Sequence, residues 1–165
     1  MKTVLRSILI LALLGVCFWL YTLFFPSAEK AVLKRITSLA ATATIARGEN
    51  PLSRANKVSN LIGYFATDAE IAYDVNGVGA RTLSGRDEIR EAAAGGFVGL
   101  ASLTVHFQDA TVRVGPDRQN AEVSCTANVS VNGEENSGIQ ELHFTLRKME
   151  GEWLITHAET VKTLR

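Results

Sequence analysis

The chain has 165 residues, with 17 Lys and Arg against 17 Asp and Glu and 47% apolar side chains. That length suits one domain plus an appendage, and a balanced charge with no basic stripe argues against a nucleic-acid partner. Two isolated cysteines, Cys17 and Cys125, with no Cys/His cluster argue against an internal disulfide and a structural metal site, so no metal and no cofactor are expected.

Residues Ile8 to Phe25 carry no charge, a run of roughly 27 Å if helical, close to the thickness of a bilayer core. Trp19 and Tyr21 lie toward its far end, where interfacial aromatics are common. A cleavable signal peptide is the rival reading. Its best small-residue site, around Ala28, is spoiled by Pro26, and the apolar run is long for a signal. Residues 1–28 therefore read as an uncleaved signal anchor of a single-pass membrane protein, and residues 29–165 as the folded domain. Lys2 and Arg6 before the run nearly balance Lys30, Lys34 and Arg35 after it, so the signal-like start alone puts the domain on the extracytoplasmic side.

From Glu29 to Ala46 the positions Val32, Leu33, Ile36, Leu39, Ala40 and Ala43 form a helical stripe, closed by Gly48. Asn50-Pro51 reads as the cap and first residue of a second helix, with Leu52, Ala55, Val58, Leu61, Ile62 and Phe65 on its apolar face. Ala69 to Val75 alternates as a strand, and Asn76-Gly77 turns it into a short strand over Ala80–Leu83. Ser84-Gly85-Arg86-Asp87 opens a third helix as a capping box, ending near Gly95-Gly96. Along Leu103 to Val114 the apolar phase slips between Phe107 and Ala110, which predicts a bulge near Gln108-Asp109.

The last third reads as three strands. Ala121 to Val131 alternates strictly, with one dry face. A turn at Glu150-Gly151 pairs Leu146 with Ile155, Phe144 with His157 and Leu142 with Glu159. That register puts Leu142, Phe144, Leu146, Trp153, Ile155 and Val161 on one dry face, with His157 and Glu159 among them.

Three pieces of this pattern resemble the nuclear transport factor 2-like superfamily, which includes SnoaL-like cyclases and ketosteroid isomerases. They are Phe65-Ala66-Thr67-Asp68-Ala69, Ser84-Gly85-Arg86-Asp87-Glu88-Ile89 and Gly151-Glu152-Trp153-Leu154-Ile155-Thr156-His157. The resemblance spans roughly Glu29 to the end. It implies an α+β cone, a curved antiparallel or mixed sheet wrapped on three helices, here preceded by one transmembrane helix. It also implies a pocket at the open end and homodimers through the sheet. The isomerase pattern itself is broken, because Tyr73 stands where the basic aspartate belongs and Leu142 precedes His143-Phe144.

His157 and Glu159 are the sharpest chemical candidates. Two residues apart on a strand they project together, and a carboxylate-oriented imidazole can act as a general base. Tyr73 joins them as a hydroxyl donor, and Gln140, Phe144 and Trp153 complete the expected lining of a pocket for a small apolar ligand. The bland alternative makes His157–Glu159 a structural pair and Tyr73 a wall residue. Two classes of function remain: an anchored ligand-binding or envelope assembly module, or a small isomerase, cyclase or dehydratase using the His–Glu pair.

Overall fold

The computed structural model describes residues 27–75 and 79–161. The apolar run 8–25 and the Asn76-Gly77 turn lie outside the described residues, and no helix among those described is long and apolar enough to cross a membrane. The elements run α1 (Ala28–Ala43), α2 (Pro51–Ile62), β1 (Phe65–Val75), β2 (Gly79–Ser84), α3 (Gly85–Phe97), β3 (Leu103–Val114), β4 (Asn120–Val131), β5 (Glu134–Met149) and β6 (Glu152–Val161). The strands form one sheet in the order β2-β1-β6-β5-β4-β3, antiparallel except where β1 runs parallel to β6. This is the expected α+β architecture of three helices on a mixed sheet.

Local chemistry explains most boundaries. Asn50 caps α2 as expected, its side-chain oxygen accepting from the Ser53 N–H at 2.8 Å. α1 stops at Ala43, earlier than Gly48, because Ile45 leaves the helix to exchange backbone hydrogen bonds with Leu103 of β3. Ser84 sits at the N-cap of α3 without capping it through its hydroxyl. Instead the Glu88 carboxylate accepts from the Ser84 N–H at 2.8 Å, half of a capping box displaced by one residue. Asn132-Gly133 and Glu150-Gly151, all at positive φ, make tight hairpin turns. The first of these lets β5 begin at Glu134.

One face of the sheet packs on the helices. Val32, Ile36 and Leu39 of α1, Ile62 of α2 and Ile89 of α3 meet Val123, Phe144, Leu146, Trp153 and Ile155 in a single core. A smaller cluster of Ile45, Val58 and Phe97 closes the end where α2 meets α3. Leu52, expected on the buried face of α2, is 72% exposed. The slip predicted in β3 is present: register shifts between Gln108 and Thr111, with Asp109 at φ +52°. It returns Val112 opposite buried Val123, so both halves of a bent strand face the core.

A second bulge, in β6, was not expected and decides where the candidate residues point. Leu146 pairs with Ile155 as predicted, but the next pair is Thr145 with His157. Thr156 is the extra residue, its hydroxyl donating to the Thr145 carbonyl at 3.2 Å. Past it the phase inverts, so Phe144 faces Ala158 and His143 faces Glu159. Ala158 is buried; His157 and Glu159 are turned to the opposite, open face of the sheet.

Candidate functional site

On that open face four side chains from three strands converge. Glu159 lies between two histidines, 3.3 Å from His143 Nδ1 and 3.8 Å from His157 Nε2. His157 Nδ1 is 4.0 Å from a Glu70 carboxylate oxygen, since Glu70 of β1 sits directly beside it in the sheet. The first contact is a long hydrogen bond; the others are too long for one. All four side chains are between 28% and 58% exposed, so water screens the group. No group of three or more His, Cys, Asp or Glu side chains suited to a metal ion occurs among the described residues.

The other expected site residues part company with this pair. Tyr73 keeps the parity of core-packed Ile71 and therefore lies across the sheet from Glu70 and His157. Phe144 and Trp153 are 4% and 5% exposed core residues, with Phe144 tilted against Phe107 at 5.8 Å between ring centres. Gln140 does hold the core-face parity, opposite buried Ala127, but its amide donates to the Val161 carbonyl at 2.9 Å and so braces the end of β6. Sequence reasoning did not select Glu70 or His143. The signal was available in the apolar phase, which steps three residues from Ile155 to Ala158.

Among the described residues no polar or charged side chain is fully buried, so the helix-covered face offers no dry acid–base pair. Cys125 is the one thiol among them, and burial pushes it up to about 11, which removes it as a nucleophile. An apolar concavity lies elsewhere, between α2 and α3. It encloses about 500 Å³ and is walled by Pro51, Ala55 and Val58 from one helix and Ala94, Phe97 and Val98 around the end of the other. Val98 is 79% exposed beside it.

The rim of this groove is tied down by hydrogen bonds. Arg54 donates through one guanidinium nitrogen to the carbonyls of Phe97 and Leu100, at 3.0 and 2.8 Å, pinning the end of α3 to the start of α2. Glu49 accepts from Lys57 Nζ at 2.9 Å, from the Ser53 hydroxyl at 2.6 Å and from the Ala46 N–H at 3.1 Å. The Lys57 bond above all, then that of Ser53, holds its carboxyl down to about 2. A depressed carboxylate stabilises the fold above the unfolded-state value and loses that contribution as pH falls through the folded one. Acid denaturation is therefore expected to gain a component between roughly pH 4.5 and 2. Glu49→Gln should lower stability at neutral pH and remove that component, checked by thermal melts across the acid range.

A SnoaL-like domain model matches residues 54–159, more than half of the chain. Solved structures agree on the fold. An NTF2-like protein of unknown function from Pseudomonas putida aligns at TM-score 0.64 and 13% identity, covering 86% of this chain and 90% of that one. A protein of unknown function with a cystatin-like fold from Nostoc punctiforme gives 0.62 and 14%, covering 80% and 88%. A protein provisionally assigned as a scytalone dehydratase, from Novosphingobium aromaticivorans, gives 0.59 and 16%, covering 82% and 83%. No curated protein matches the chain. The element order, the mixed sheet on three helices and the matched residues together place this chain in the SnoaL-like domain family.

Proposed function

We propose that this domain is a binding module for a small apolar ligand, held at a membrane by the uncharged run 8–25, and that the groove between α2 and α3 is its port. The observation that carries this reading is the groove itself: an apolar concavity of ligand size on a face where Val98 is left bare. Its rim cations and anions are already satisfied by one another and by backbone carbonyls, so its recognition is by shape and apolar contact. The inverted end of β6 supports it too, because His157 and Glu159 are withdrawn from the covered side where an acid–base catalyst of apolar substrates would be sheltered.

The full chain, recovered in the membrane fraction with its first residues intact, is expected to take up an apolar fluorescent dye. Ala94→Trp, which places an indole in the groove from an exposed position, should weaken uptake about tenfold or more, while His157→Ala leaves it unchanged. Undiminished uptake by the Ala94→Trp protein would move the ligand elsewhere, and a mature chain starting near Glu29 would remove the anchor.

The alternative is a small SnoaL-like isomerase, cyclase or dehydratase. It is favoured by the contact of Glu159 with His143 and His157 and by the name given to the Novosphingobium relative. In that reading Tyr73 cannot act with the pair across the sheet, and His157→Ala abolishes turnover while sparing dye uptake.

A further inference from the structure

A second concavity, of about 570 Å³, opens at the other end of α1, between that helix and the β5–β6 turn. Its polar wall is a stripe of α1: Lys30, Lys34 and Ser38, spaced four residues apart and so stacked on one face. Its apolar wall is Ala31 with the rings of Tyr64 and Trp153. Lys30, Lys34 and Arg35 against Glu152 give the lining a net charge of +2, in a domain that carries −2 from Glu29 onward (15 basic against 17 acidic residues).

The three cations are not equivalent. Arg35 is a structural post: it donates to Glu152 at 3.1 Å and to the Gly63 carbonyl at 2.7 Å, and its guanidinium lies 4.4 Å over the Tyr64 ring. The Tyr64 hydroxyl is itself held by Thr42 at 3.1 Å, which fixes the ring as a wall. Lys30 and Lys34 make no ion pair among the described residues. Two like charges one helical turn apart repel and weaken the helix that carries them. Two exposed ammonium groups act as point charges without the fork that selects a planar carboxylate. Together they match a dianion better than a monoanion, and phosphate monoesters approach that charge near neutral pH.

We infer that this cleft is a binding site for a phosphate monoester, with Lys30 and Lys34 on the phosphate and Tyr64, Trp153 and Ala31 against an attached apolar body. The source is either a lipid headgroup or a soluble phosphate. Lys30 follows the uncharged run 8–25 by five residues, so, resting on the membrane anchor proposed above, the lysines would lie where an anionic lipid surface meets the domain.

The test is calorimetric titration of the full chain in nonionic detergent, with inorganic phosphate and with a short-chain phosphatidate. The Lys30→Gln/Lys34→Gln protein is compared with an Arg47→Gln/Arg81→Gln control that removes equal charge from exposed positions outside the cleft. Both pairs are exposed, so the fold should survive, checked by thermal melting. Loss of about fivefold per lysine, roughly twenty- to thirtyfold for the pair, with the control near wild type, supports the site. Tighter binding of phosphatidate than of phosphate supports the apolar wall and assigns the site to lipid; equal binding of the two would leave that wall without a role and overturn the assignment to a monoester with an apolar body. Absence of binding by either compound, or an equal loss in the control, overturns the proposal. Dye uptake in the α2–α3 groove should be untouched by the lysine changes, so this site and that one fail independently.

Discussion

Phe144→Ala is expected to lower the free energy of unfolding by about 3–5 kcal/mol. The side chain is 4% exposed on the central strand β5, opposite Val123 on one side and Ala158 on the other. Its ring packs against Phe107, and the neighbours Leu146 and Ile155 have no exposure at all. Strands fixed on both sides cannot close over the missing ring, so most of the cavity would persist and the cost should sit at the high end. Chemical denaturation of both proteins measures it. A midpoint shift equivalent to less than about 1 kcal/mol would mean that the ring is not a core group.

Ala158→Asp is expected to cost about 3–5 kcal/mol, the penalty for leaving a carboxylate without a partner where a 7% exposed methyl group packs. Ala158 faces inward because Thr156 is the residue by which β6 exceeds β5. Were Thr156 an ordinary ladder residue opposite Thr145, His157 would fall opposite Phe144 and Ala158 would turn outward, the very arrangement that plain alternation from Trp153 predicts. Thr156→Ala isolates the bulge residue's own side chain. It keeps the bulge and loses only the hydroxyl's bond to the Thr145 carbonyl, worth about 0.5–1.5 kcal/mol. A cost below about 1 kcal/mol for Ala158→Asp would show that Ala158 faces solvent and that the bulge does not set the facing of the strand.

Much of the fold is legible because its punctuation is chemical and local. Asn50-Pro51 admits little besides a helix start, and Glu150-Gly151 admits little besides a hairpin; both hold. The bulge in β3 is legible because Ala110 lies three positions after Phe107, with a turn-prone aspartate between them. The bulge in β6 carries the same step, from Ile155 to Ala158, but it is masked. Thr156 is an ordinary strand former, and the alternation Trp153, Ile155, His157, Glu159, Val161 can be continued across it without a break. Two large polar side chains on a dry face were the warning, and the small apolar Ala158 between them was the answer.

The groove between α2 and α3 was illegible for a different reason. Its walls are set by how far apart two helices lie, which Arg54 fixes through carbonyls of Phe97 and Leu100 more than forty residues away. Nothing local in Ala55 or Ala94 announces that the space in front of them is unfilled. Leu52 shows the same limit, since its helical spacing is right and only the absence of an opposing element leaves it exposed.

The side of the sheet that carries His157 decides which surface of this domain holds its histidines and carboxylates. The most direct measurement is paramagnetic broadening of the histidine ring resonances of the full chain by a small, neutral, water-soluble relaxation agent. With His143 and His157 sharing the open face and both near Glu159, their rings should broaden to a similar degree and recover together if a partner covers that face. A His157 ring left sharp while that of His143 broadens would place His157 under the helices. That would contradict the inverted register of β6 and return the His157–Glu159 pair to the interior as a catalytic candidate.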